Sequence, residues 1–240
     1  MNQNQTTNPY STAPATPSML GVRPDARLAT AFLTQAFVWM FAGLLLSAGV
    51  AWTVQGNAQL LDFARDNFFV LLIGQLVLVV AISAGISRMN ASLALLLFFA
   101  YAATLGVTLG LIVSLYTGAS VVTAFLSASA MFGAAALYGA VTKRSLAGLG
   151  GILFMGLMGL IVAMILNLFL ASTAISWVVS IAGVAIFTAL TAYDVQRIGA
   201  GDLAAMTGSM EKAAVIGALR LYLDFINLFL FMLRLFGGRN

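Results

Sequence analysis

The chain has 240 residues, 62% of them hydrophobic and only 8% charged, with a formal net charge of +4. Soluble domains carry about 45–50% apolar and about 25% charged residues, so a water-soluble fold is excluded and the lipid bilayer must be the solvent. The lack of Cys and His removes disulfides, thiolate metal sites and imidazole chemistry, and no basic run suits a phosphate backbone, which excludes nucleic acid as a partner.

Residues 1–24, opening MNQNQTTNPY, are rich in Asn, Gln, Thr and Pro and read as a disordered polar leader without the early basic residues of a signal peptide. The remainder, 25–240, reads as one transmembrane domain. All four prolines lie at positions 9–24, so Gly and Ser must supply any bend in the spans. A hydrocarbon core of about 30 Å needs about 20 apolar residues per helix. Six segments meet that plainly: 30–54, 68–87, 92–116, 119–141, 150–171 and 174–196. The seventh, 213–236, is apolar except for Arg220, Asp224, Asn227 and Arg234, and counts as spanning because so long an apolar run has nowhere else to go. The fold class is therefore all-α, a polytopic bundle of seven transmembrane helices. Links such as Thr117–Gly118 and Ser172–Thr173 are short and make neighbouring helices antiparallel. Gly106 and Gly110, or Gly156, Gly159 and Ala163, are spaced as packing positions that let helix backbones approach.

Orientation follows from the basic residues. With a cytoplasmic N-terminus, that side collects Arg23, Arg27, Arg88, Lys143, Arg144, Arg197 and Lys212, whereas the other side holds Arg65 and Arg239, with Arg234 near a helix end. The positive-inside bias places the N-terminus inside and the C-terminus outside.

Of the seven acidic residues, Asp25, Asp62, Asp66, Asp202 and Glu211 fall in the leader or in loops. Asp194 sits at the inner end of the sixth span, in TAYDVQRIG, and Asp224 lies inside the seventh. An Asp at a helix centre costs ~2.5–3.5 kcal/mol on insertion scales, and such residues usually face the bundle interior and mark a function. Gly217, Arg220, Asp224, Asn227, Phe231 and Arg234 share one helix face, a polar seam that must avoid lipid and so places the last helix at the bundle centre. A purely structural alternative pairs Arg220 with Asp224 at i, i+4 to ease insertion. Two carboxyl groups close together in a dry bundle cannot both ionise easily and release their protons in coupled steps. Ionised, Asp194 and Asp224 offer hard oxygen ligands to Ca²⁺. Arg88, at the inner end of the second span, could lock the pair when no ion is bound. Asp224 lies 12 residues beyond Lys212, about 18 Å along a helix, so contact with Asp194 needs the last helix to start above the hydrocarbon or to tilt.

At these residues the chain resembles the transmembrane Bax inhibitor motif family, in particular its bacterial Bax inhibitor-1/YccA-like branch. ALRLYLDFINLFLFMLRLFG at 218–237 and AYDVQRI at 192–198 carry the resemblance, with the stretch 116–170 in support. It implies seven helices with the last one between two three-helix layers, and a pH-sensitive Ca²⁺ leak across the membrane. The family's paired aspartates fall on Asp194 and Asp224, its outer basic residue, held to help close the pore, on Arg234, and its second-helix basic residue on Arg88. Arg220 stands where the family often has an uncharged residue, and TKRSLA at 142–147 lacks an acidic residue expected there.

Two rivals fail on the residues. Tyr193-Asp194 and Gly199-Ala200-Gly201-Asp202 look like the motif pair of an intramembrane aspartyl protease, but only eight residues separate the two aspartates. A retinal protein needs a lysine in the seventh helix, and Lys143 and Lys212 both lie at loops. The expectation is a non-enzymatic cation leak of the bacterial cytoplasmic membrane, with Ca²⁺ as permeant ion and no cofactor, gated by protonation of Asp194 and Asp224. The alternative is a regulatory membrane protein that modulates a membrane protease or other partner without conducting ions.

Overall fold

The computed structural model describes residues 26–207 and 209–238. The polar leader 1–24, with Arg23, and the terminal Arg239 lie outside the described residues. The helices are α1 (Ala26–Gln55), α2 (Ala58–Asp66), α3 (Phe68–Gly85), α4 (Ala91–Val113), α5 (Gly118–Val141), α6 (Gly150–Leu170), α7 (Thr173–Gly199), α8 (Asp202–Thr207) and α9 (Met210–Phe236), with a single 3₁₀ turn at Ala147–Leu149. Seven of them, all but α2 and α8, are long and apolar enough to cross a membrane. Their outward faces carry large apolar side chains such as Phe69, Leu168, Phe169 and Val178. Water would not tolerate that much contiguous apolar surface, and a bilayer does. The protein is an all-helical integral membrane protein.

Local chemistry sets where the spans begin. Asn90 Oδ1 accepts the Leu93 amide at 2.7 Å and starts α4. Thr117, Ser172 and Ser209 cap α5, α7 and α9 in the same way. Each satisfies a first-turn amide that the helix itself leaves without a partner. Span α6 ends on Ala171, whose φ of 48° is left-handed and turns the chain back toward α7.

Four acidic residues expected in loops are helical or at helix starts. Asp62 and Asp66 belong to α2, an amphipathic helix capped by Asn57, whose side chain accepts from the Gln59 and Leu60 amides. Asp202 opens α8, and Glu211 lies in the first turn of α9, where an acid favours the helix dipole.

Three spans pack on one side, with α1 against α4 and α4 against α3. Three pack on the other, with α7 against both α5 and α6. Span α9 touches α1, α4, α5 and α7 and is the most buried, with 78% of its apolar window covered against 44% or less elsewhere. Its polar load explains the position: a helix carrying Arg220, Asp224 and Asn227 is stable in a bilayer only where protein covers it.

Candidate functional site

Asp194 lies on α7, five residues before the helix ends, and Asp224 lies in the middle of α9. Both are buried, at 7% and 4% relative exposure. They are held together by the packing of α7 on α9, with Val195, Leu221 and Phe225 filling the surrounding core. Arg220 donates from Nη1 to Asp194 Oδ1 at 3.2 Å across the helix interface. The i, i+4 pairing of Arg220 with Asp224 is therefore not the hydrogen bond formed. A long guanidinium one turn below Asp224 reaches sideways to α7 instead.

That choice leaves Asp224 exceptional. Its Oδ2 is buried with no hydrogen-bond partner, although it lies within electrostatic reach of both Asp194 and Arg220. A buried polar oxygen without a donor costs about 1–3 kcal/mol. The site thus holds two buried carboxyl groups and one partly exposed guanidinium. Among the described residues no cluster of three or more Asp, Glu, His or Cys side chains exists to hold a resident metal. Ca²⁺ takes 6–8 oxygen ligands, more than two carboxyl groups supply.

The remaining expected residues sit apart. Arg88 follows α3, is exposed, and forms no ion pair among the described residues. The charges acting on Asp194 are those of Arg220 and Arg197. Arg234 is exposed at the opposite end of α9 and lines an open cavity of about 720 Å³ together with α6 and α7. Within the polar seam, Gly217, Asp224 and Phe231 are buried, Arg220 and Asn227 half-buried and Arg234 exposed, so the seam borders the least covered line of α9, which also passes through Leu223 and Leu230. Asn227 turns its amide back to the Leu223 carbonyl at 2.8 Å.

Sequence reasoning missed two supports. Gln196, two residues past Asp194, clamps the loop between α5 and α6: its Oε1 accepts from Leu146 N at 2.7 Å and its Nε2 donates to Arg144 O at 2.8 Å. Arg197 donates to the Tyr193 hydroxyl at 3.1 Å and pairs with Asp202 at 3.4 Å, tying α7 to α8. Both lie inside AYDVQRI, so the signal was a cluster of polar side chains around one acid at a helix end. The second support is a hydrogen-bond bridge in mid-bundle. The Tyr222 hydroxyl lies 2.6 Å from Ser47 Oγ, which bonds the Ala102 carbonyl at 2.7 Å, so α9, α1 and α4 are joined. Only the lone Ser within an apolar span hinted at it. Asp202 follows the end of α7 directly and pairs with Arg197, so it stands on no separate span from Asp194, as an intramembrane protease would require.

Comparison with known proteins gives a consistent picture. The sequence model of the family described as "Inhibitor of apoptosis-promoting Bax1" matches residues 29–240. The chain is 43% identical to the inner membrane protein YbhL of Escherichia coli K12, over 91% of this chain and 96% of YbhL. It is 40% identical to an uncharacterized protein of Borreliella burgdorferi over 87% of this chain and 92% of that one. A protein of Deinococcus radiodurans is 39% identical over 87% of this chain and 91% of its own length.

Proposed function

This chain belongs to the family of inhibitors of apoptosis-promoting Bax1, and from that premise we propose that it is a pH-sensitive cation leak of the bacterial cytoplasmic membrane with Ca²⁺ as cargo. The single observation that carries the reading is the buried Asp224 Oδ2 without a donor, beside an Asp194 already bonded to Arg220. A proton on Asp224 would remove its buried charge, and its loss would leave a negative charge next to a salt bridge. Either state alters the charge that α7 and α9 present to each other, and so the route between them. Arg220, one of the expected charge partners, bonds Asp194. Arg234 sets a positive charge at the far end of the same helix, where it opposes cation entry. The inner membrane location of YbhL supports the cellular placement.

The test is Ca²⁺ flux into dye-loaded vesicles containing the purified protein, scanned over pH. The wild-type flux changes with pH, and the Asp194→Asn/Asp224→Asn double variant leaks at a rate that pH no longer moves. An unchanged pH profile in the double variant refutes the sensor. A protein that conducts nothing at any pH refutes the leak and favours a regulatory partner role.

A further inference from the structure

The open cavity at the C-terminal end of α9 is not used by the aspartate pair. It forms because α6 leans on α7 and leaves a gap toward the end of α9. Its walls are of two kinds. Ile165 and Leu168 of α6 and Trp177 of α7 are apolar and more than half exposed, and they open the cavity sideways toward the hydrocarbon. At its rim stands Arg234, the one charged side chain lining it among the described residues, none of which contributes an acid. Three of the neutral polar residues in the lining are engaged with one another: Asn167 Nδ2 donates to Ser176 Oγ at 2.7 Å, and Ser180 Oγ donates to the Ser176 carbonyl at 2.7 Å. Arg234 makes no hydrogen bond or ion pair among the described residues.

A lone guanidinium over an apolar trough open to lipid has a specific complement. Arginine presents a planar fork that fits phosphate oxygens in pairs. The trough accepts a chain, not a second charge. We propose that this cavity binds one acidic phospholipid of the leaflet on the C-terminal face, with Arg234 on the headgroup phosphate and an acyl chain along Ile165, Leu168 and Trp177. A free phosphate would meet the same guanidinium but would leave the apolar wall uncovered. The bilayer also supplies the lipid at a far higher local concentration.

The site is tested by binding alone, apart from any flux. The full chain in mild detergent is titrated with phosphatidylglycerol or phosphatidylcholine and read by native mass spectrometry. Position is read by quenching of Trp177 with brominated phosphatidylglycerol in a Trp39→Phe/Trp52→Phe background. The wild type retains phosphatidylglycerol about tenfold more tightly than phosphatidylcholine, and the brominated lipid quenches Trp177. Arg234→Gln loses the preference. Arg65→Gln, which removes the same charge from α2 on the same face, keeps it; Arg65 is exposed and engaged only with Asp62. Arg234 is itself exposed at a helix end, so its replacement leaves the fold intact. Equal retention of the two lipids, a preference that survives Arg234→Gln, or unquenched Trp177 overturns the proposal. So does displacement of the lipid by soluble glycerol phosphate at equal concentration, which would make the site one for a free anion.

Discussion

Asp224 keeps a carboxyl oxygen without a donor one helical turn from a guanidinium that is bonded elsewhere. The same helix shows what full satisfaction looks like: Tyr222, wholly buried, has its hydroxyl on Ser47 and its ring edge-on to Phe98 and Tyr101. The contrast marks Asp224 as the buried side chain of α9 whose polar atoms the fold leaves incompletely partnered. Arg220 can be weighed by a double-mutant cycle. Its side chain is 33% exposed and that of Asp194 10%, so solvent weakens the pair and the coupling energy expected is about 1 kcal/mol, below that of a fully buried pair. Arg220→Gln alone should cost more, about 1–3 kcal/mol in unfolding from micelles, because it leaves Asp194 buried without its donor. Asp194→Asn in the Arg220→Gln background should recover part of that loss, and a cycle that sums to zero would show that the two residues do not act as a pair. Asp194 and Asp224 were legible from the sequence because an acid inside an apolar run has few explanations. The partner of Arg220 was not legible, because i, i+4 geometry on α9 and the reach across to α7 are both open to a side chain that long.

At the scale of the helix, small residues decide how closely spans approach. A Cβ on Gly106 would lie 2.8 Å from the Ser47 carbonyl oxygen of α1, and one on Gly110 would lie 2.9 Å from the Ala51 carbonyl oxygen. These two glycines seat α4 on α1. A Cβ on Gly159 of α6 would meet nothing within 4 Å. Gly106→Ala is therefore expected to destabilise the protein by about 1–3 kcal/mol, through backbone displacement. Gly159→Ala should be neutral or slightly stabilising, since Ala is the better helix former. Thermal unfolding of the two variants in detergent checks the difference, and equal midpoints would remove the claim that Gly106 sets the α1–α4 distance. Both glycines carried the same spacing signal in the sequence, yet only one is in contact. Spacing places residues on one face of a helix but leaves open whether a neighbour covers that face. The seven spans were readable because 20 apolar residues in a row satisfy one length requirement. The helices α2 and α8 were not, because they are too short and polar for that requirement. A local cap, Asn57 in the case of α2, starts such a helix.

Seven crossings put the two ends of the bundle on opposite faces, and the charges divide unevenly between them. Among the described residues, Arg88, Lys143, Arg144, Arg197 and Lys212 gather on the face where α1 begins, while Arg65 and Arg234 lie on the other. Under the positive-inside rule the first face is the one expected to be cytoplasmic. Asp194 belongs to that side as well: it stands five residues from the end of α7, about 7.5 Å along the axis, whereas 21 residues separate it from the helix start. The high burial of α9 was foreseeable from its polar residues, but this asymmetry of depth depends on where α7 ends and α9 restarts, which α8 and the Ser209 cap decide. If that face is cytoplasmic, protons from the cytoplasm should have the shorter path to the aspartate pair. Two measurements follow from one orientation. Alkaline phosphatase fused after Asn240 should be active in cells, as expected of an outer C-terminus. In vesicles with a known orientation, a pH jump on the face bearing Lys143 and Arg144 should change Ca²⁺ flux within the mixing time, and the same jump on the Arg234 face should act only as fast as protons cross the bilayer. An inactive fusion reverses the orientation. A response that is equally fast from both faces shows that the pair is reached from both ends of the bundle, and the depth of Asp194 would then say nothing about which compartment the protein senses.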